Sequence, residues 1–225
     1  MKIAILPVVL FITGIVSAQD ILSKIPKSGT TINAFIPKGY DTLSTTTGDL
    51  NKDGLSDAVL ALASAKETNF DPAKDDIDSM PPRLLLILFN TGKGYMLAGK
   101  SAGALLCKEC GGVFGDPFSS LVIDKNILTI NHYGGSSWRW GSHYKFRYQQ
   151  NDFYLIGRTS YSYWNVERCE KLDDFAGADY KDENLVTGSY EERKISQEGC
   201  KLLVNKKGKQ TVKPLIKLND FNIEN

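Results

Sequence analysis

The segment Asp49-Leu50-Asn51-Lys52-Asp53-Gly54-Leu55-Ser56-Asp57 constrains this chain more than any other. Oxygen-bearing side chains fill its first, third, fifth and ninth positions, and a glycine follows the third of them. A backbone turning around one Ca²⁺ offers those side chains together with the seventh carbonyl. The expected ligands are therefore Asp49, Asn51, Asp53, the Leu55 carbonyl and Asp57, with Gly54 at the sharp turn. Carboxylates crowded into one loop repel one another unless a cation neutralises them, which favours the metal over the alternative of a solvated Asx-rich turn. An EF-hand would add a bidentate Glu at the twelfth position and flank the loop with helices. Here that position is Leu60, and the flanks are the threonine-rich Tyr40 to Thr47 and the apolar Ala58 to Ala63. Both suit strands.

A strand-loop-strand segment of this kind resembles the FG-GAP repeat of integrin-type propellers and the related bacterial VCBS-type repeats, whose signature is Asp-x-Asp/Asn-x-Asp-Gly-x-x-Asp before an apolar strand. The resemblance spans about one repeat, Ile36 to Tyr95, and takes in Leu84 to Tyr95 as a following strand and turn. It implies a calcium ion on the loop and a β-rich setting. The Asp-rich loop occurs once in the chain, whereas a propeller needs several blades to close. The expected fold is mainly β, with antiparallel strands in meander or sandwich-like sheets around a strand-flanked calcium loop, and not a complete propeller.

Past the loop, Lys66 to Arg83 is polar and acidic, and is read as a solvated insertion or as the donor of one further carboxylate to the metal. From Phe118 onward strands follow one another. Ser120 to Asp124 and Ile127 to Tyr133 flank a Lys125-Asn126 turn and predict a hairpin. In Trp138 to Gln149, Tyr144, Phe146 and Tyr148 alternate with His143, Lys145, Arg147 and Gln149, as in a half-buried strand. Gln150-Asn151-Asp152 turns this strand into Phe153 to Arg158. Further strands are expected over Asn184 to Tyr190, Cys200 to Val204 and Gln210 to Leu218, with Asn165 to Asn184 a polar stretch and Lys206 to Lys209 a turn.

The N-terminus combines Lys2, an apolar run from Ile3 to Val16 and the small residues Ser17-Ala18, the pattern of a secretory signal peptide cut after Ala18. That places the mature chain, 19–225, in an extracytoplasmic compartment, periplasmic or secreted, with no transmembrane anchor. It would form a single β-rich domain or two lobes, about 19–110 and 111–225. Removing Lys2 leaves 26 basic against 26 acidic residues, and a neutral chain is a poor nucleic-acid ligand.

Four cysteines fit an oxidising compartment. Among three possible connectivities, the expectation is Cys107 with Cys110 and Cys169 with Cys200. Zinc would want a second closely spaced ligand pair, and a redox Cys-x-x-Cys would want a helix N-terminus; neither accompanies Cys107 and Cys110.

Tyr133, Trp138, Arg139, Trp140 and Tyr144 form an aromatic stretch able to contact a protein or glycan, or simply to pack a sheet. The chain has two histidines, His132 and His143, and no Gly-x-Ser-x-Gly elbow, His-Glu-x-x-His pair or phosphate-binding glycine loop. The main expectation is a non-enzymatic calcium-binding module for a protein or glycan partner. The alternative is a secreted hydrolase with structural calcium and a catalytic His132 or His143.

Overall fold

A computed structural model describes residues 18–71, 73–74, 80–165, 178–196 and 201–224. The signal-peptide expectation up to Ser17, and the expected Cys169 to Cys200 bridge, lie outside them. The architecture is mainly β: two open antiparallel sheets, one of five strands and one of seven.

The smaller sheet comes from the first half of the chain. A short helix α1 (Ala18–Ser23) and the two-residue strand β1 (Ser28–Gly29) precede β2 (Tyr40–Gly48), β3 (Asp57–Ser64), β4 (Leu84–Asn90) and β5 (Tyr95–Ser101). Their order is β1-β5-β4-β3-β2. The unbroken apolar runs of β3 and β4 are central and buried on both faces, as such runs must be. One face turns Leu60, Leu62, Leu84, Leu86 and Leu88 toward Leu22, Ile25 and Phe35 of the N-terminal segment, which caps the sheet beside Tyr40 of β2.

The larger sheet is a meander of β6 (Phe118–Asp124), β7 (Ile127–Gly135), β8 (Trp138–Gln149), β9 (Asp152–Trp164), β10 (Asp179–Asn184), β11 (Ser189–Ile195) and β12 (Leu202–Lys209). The turns at Lys125-Asn126 and Gln150-Asn151 carry positive φ at both residues, the two-residue geometry whose twist matches the strands. The inner face sets Leu121, Leu128, Ile130, Phe146, Phe153 and Leu155 against Val59, Ala61, Leu85, Ile87 and Phe89 of the first sheet. Leu218 and Phe221 complete this core from the C-terminal segment, with the Phe221 ring 5.0 Å from Tyr144 and 5.3 Å from Phe146.

The last third of the chain departs from expectation in three places. Leu185 to Gly188 is a turn between β10 and β11, because the Asn184 carboxamide takes the Val186 and Thr187 amides, both at 3.0 Å, and ends the strand. Lys206 to Lys209 continues β12 instead of turning, since Lys206 and Lys207 stand opposite Glu192 and Glu191 in the ladder. Residues 210–216 form no strand.

Candidate functional site

The Asp-rich loop joins β2 to β3 at one end of the smaller sheet. Its turn is built by its own side chains. Asp49 accepts the Lys52 amide at 2.6 Å through Oδ1 and the Gly54 amide at 3.0 Å through Oδ2. Asn51 Oδ1 accepts the Asp53 amide at 3.0 Å, and Asp53 Oδ1 accepts the Leu55 amide at 2.8 Å. Gly54 sits at φ 83°, a conformation a side chain would strain. Two asparagines clamp the loop from outside: Asn126 Nδ2 donates to the Asp49 carbonyl at 2.6 Å, and Asn90 Nδ2 donates to the Ser56 carbonyl at 3.1 Å.

Asp57 plays a separate part. It is fully buried, and its two oxygens accept the amides of Leu50 at 2.8 Å and Asn90 at 2.9 Å, pinning the loop to β4. Burial raises its pKa; the two amides oppose that shift, and the nearby Asp53 charge adds to it. Asp49, Asn51 and Asp53 form the solvent-facing rim. Among the described residues no three carboxylate, histidine or cysteine side chains converge into a finished cage. The donor set is nonetheless all oxygen, and each hydrogen-bonded carboxylate oxygen keeps a second lone pair, so its chemistry fits a hard cation. Within the acidic insertion, Asp71 bonds Lys74 at 2.5 Å, and Glu67 turns to Arg83 at 2.9 Å.

Strand alternation divides the aromatic stretch between two faces. Trp138, Trp140 and Tyr144 share the inner face with the core residue Phe146, whereas Tyr133 and Arg139 lie on the outer face. There Tyr133 and Tyr163 share a hydroxyl hydrogen bond of 2.8 Å, and Arg139 stacks 4.1 Å above the Phe114 ring. Burial, and then the Tyr163 bond, push the Tyr133 phenol up to about 12, so it stays protonated at neutral pH. On the inner face, Trp140 and Tyr144 line an open cleft of about 400 Å³ with Ser142, Ser160 and Lys181.

Neither histidine bonds a hydroxyl or thiol among the described residues. His132 is buried, and its Nε2 accepts the Leu106 amide at 3.3 Å while Nδ1 has no partner there. The Nδ1 of His143 pairs with Asn131. Cys107 and Cys110 form the expected bridge, with Cα atoms 5.1 Å apart. It sits in a 3-10 segment, Lys108–Phe114, beside β7.

Sequence reasoning missed a buried charge cluster beside His132. Arg83 forks between Glu67, at 2.9 Å, and Asp116, at 2.6 Å. Its signal was available: a lone arginine directly before the wholly buried run Leu84 to Phe89 has nowhere to go but to a partner. The Tyr161 and Tyr163 companions of Tyr133 were also readable, from the alternation in Arg158 to Trp164.

No family model matches this chain, and no curated protein does. Among solved structures, the chain is similar to one described as "Structure of a Xanthomonas Type IV Secretion System related protein", at 17% identity and a TM-score of 0.32. The matched region covers 66% of this chain and 57% of that one.

Proposed function

We propose that this protein is an extracytoplasmic, calcium-binding β module that acts by holding a protein or glycan partner. The observation that carries the reading is the Asp49 to Asp57 loop, whose all-oxygen rim is held open by its own amides and clamped by Asn90 and Asn126. In this reading Asp49, Asn51, Asp53, the Leu55 carbonyl and Asp57 bind one Ca²⁺, and the ion stiffens a rim already close to its working shape. Extracellular sites of this kind bind with Kd of about 10⁻⁴ to 10⁻³ M. Millimolar calcium would then add only about 0.5 to 1.5 kcal/mol of stability, so the ion shapes a surface more than it holds the fold. The contact surface in this reading is the inner-face cleft, where Trp140 and Tyr144 offer rings for stacking and Ser142 and Ser160 offer hydroxyls.

Titration calorimetry on metal-stripped protein tests the central claim. The expected result is saturable binding of about one ion per chain, abolished in Asp53→Ala. Absence of binding at millimolar calcium, or undiminished binding in the variant, would overturn it.

A further inference from the structure

β12 is the outermost strand of the larger sheet and pairs only with β11, so its far edge carries unpaired backbone N–H and C=O groups among the described residues. Such an edge is a template for another extended chain, and proteins usually cover or blunt it. Nothing described covers β12. Six of its eight positions are exposed, adjacent ones among them, which opens both faces of the strand to solvent. Leu202 and Leu203, at 53% and 65% exposure, stand at its start and belong to neither core cluster among the described residues.

Lysines dominate the strand itself. Lys206, Lys207 and Lys209 lie on β12 and Lys201 directly precedes it, and the strand contains no acidic residue. The rest of the chain then holds 23 basic against 26 acidic residues, so positive charge is concentrated here. Glu192 and Glu191 of β11 stand opposite Lys206 and Lys207, and among the described residues one of these four lysines meets a carboxylate, Lys207 with Glu191 at 3.1 Å. Edge lysines commonly serve to prevent self-association. Four lysines brought against four would do so here, which sets aside a second copy of this chain as the occupant. The same field attracts a strand of opposite sign.

We propose that β12 is a docking edge for an extended acidic segment of a partner protein, which joins the sheet as a further strand. Backbone bonds along the edge supply the binding, the lysines select negative side chains, and Leu202 and Leu203 seat one apolar residue on each face. The site lies on the opposite sheet from the Asp49 loop and does not depend on calcium, so the two readings stand or fall separately.

Fluorescence anisotropy on the full chain, with labelled peptides of about twelve residues alternating Glu and Val, tests the proposal in calcium and in chelator. A peptide with Lys in place of Glu, and inorganic polyphosphate, serve as comparisons. The expected result is calcium-independent binding of the acidic peptide alone, weakened at least about tenfold in Lys206→Glu/Lys209→Glu and unchanged in Lys125→Glu at the opposite edge. Hydrogen exchange of the amides at 202–209 should slow when the peptide is bound. Equal binding of the Lys peptide, polyphosphate binding that matches the acidic peptide, or binding without protection of those amides would overturn strand addition. So would no binding at about 1 mM peptide to wild-type protein with an intact melting transition.

Discussion

Replacing Arg83 by Met removes a buried cation while keeping most of its volume. The Arg83 side chain is 1% exposed, and those of Glu67 and Asp116 are 8% and 33% exposed. Nε reaches both Glu67 oxygens at 3.0 and 3.1 Å, and Nη1 reaches Asp116 at 2.8 Å. In the variant Asp116 can return to water, but Glu67 cannot. The cost at pH 7 is therefore that of one uncompensated buried carboxylate, about 3 to 5 kcal/mol. Glu67 escapes this cost only by taking a proton, so the penalty is small in acid, where the buried carboxyl is neutral, and complete at neutral pH, where it is charged. Urea melts at pH 4, 5.5 and 7 should thus show a loss that grows with pH, from about 1 kcal/mol of missing hydrogen bonds to the full figure. Arg83 also helps to hold His132 neutral, so the comparison is repeated in a His132→Gln background to remove that contribution. Adding Glu67→Leu should restore stability to within about 1 kcal/mol of wild type. A loss below about 1 kcal/mol at pH 7, or an equal loss at pH 4 and 7, would refute the reasoning.

Three further outcomes follow from the same structure. Burial first, and then the Arg83 charge, lower the His132 pKa to about 4. A depressed imidazole contributes stability that is complete above about pH 6.5 and lost as pH falls toward 4; the loss should be about 3 kcal/mol by urea melts and should vanish in His132→Gln. In chelator, Asp57→Ala strips the buried Leu50 amide and the part-buried Asn90 amide of their acceptor and should cost about 2 to 4 kcal/mol, whereas Asp53→Ala on the exposed rim should cost under about 0.5 kcal/mol, and thermal melts separate them. A Cβ at Gly48 would stand 2.7 Å from Ile123 Cγ2, where β2 meets β6, so Gly48→Ala should cost about 1 to 3 kcal/mol by the same melts.

Elements whose local chemistry agreed with their final setting could be read from the residues alone. The alternation of Tyr144, Phe146 and Tyr148 located β8 and its core face, and the Lys125-Asn126 pair located a hairpin that does form there. The apolar runs of β3 and β4 announced strands buried on both sides. By contrast, β10 reads Asp-Tyr-Lys-Asp-Glu-Asn and most of β11 reads Ser-Tyr-Glu-Glu-Arg-Lys. Nothing in that composition favours a strand. They are strands because neighbours on both sides supply the ladder and cross-strand charges supply the pairing, as between Lys207 and Glu191 at 3.1 Å. The site divides in the same way. The spacing of Asp49, Asn51 and Asp53 located the loop, but the anchoring of Asp57 depends on Asn90, at the end of a strand 33 residues further along the chain.

The segments that flank the two sheets, 18–35 and 218–221, close the two layers of packing, and this bears on the order in which the molecule can fold. Leu22 and Phe35 cap one face of the smaller sheet, yet they have nothing to cap until β3 and β4 exist. Phe221 fills the space between the sheets only after the strands of both sheets have been made. Contacts this far apart in sequence make for slow, high-contact-order folding. A nascent chain that has not yet reached Leu218 would hold two sheets around an unfilled core, so folding to a sealed state is deferred until that segment has been made. Truncation just before Leu218 should accordingly produce a species prone to association rather than a smaller stable domain.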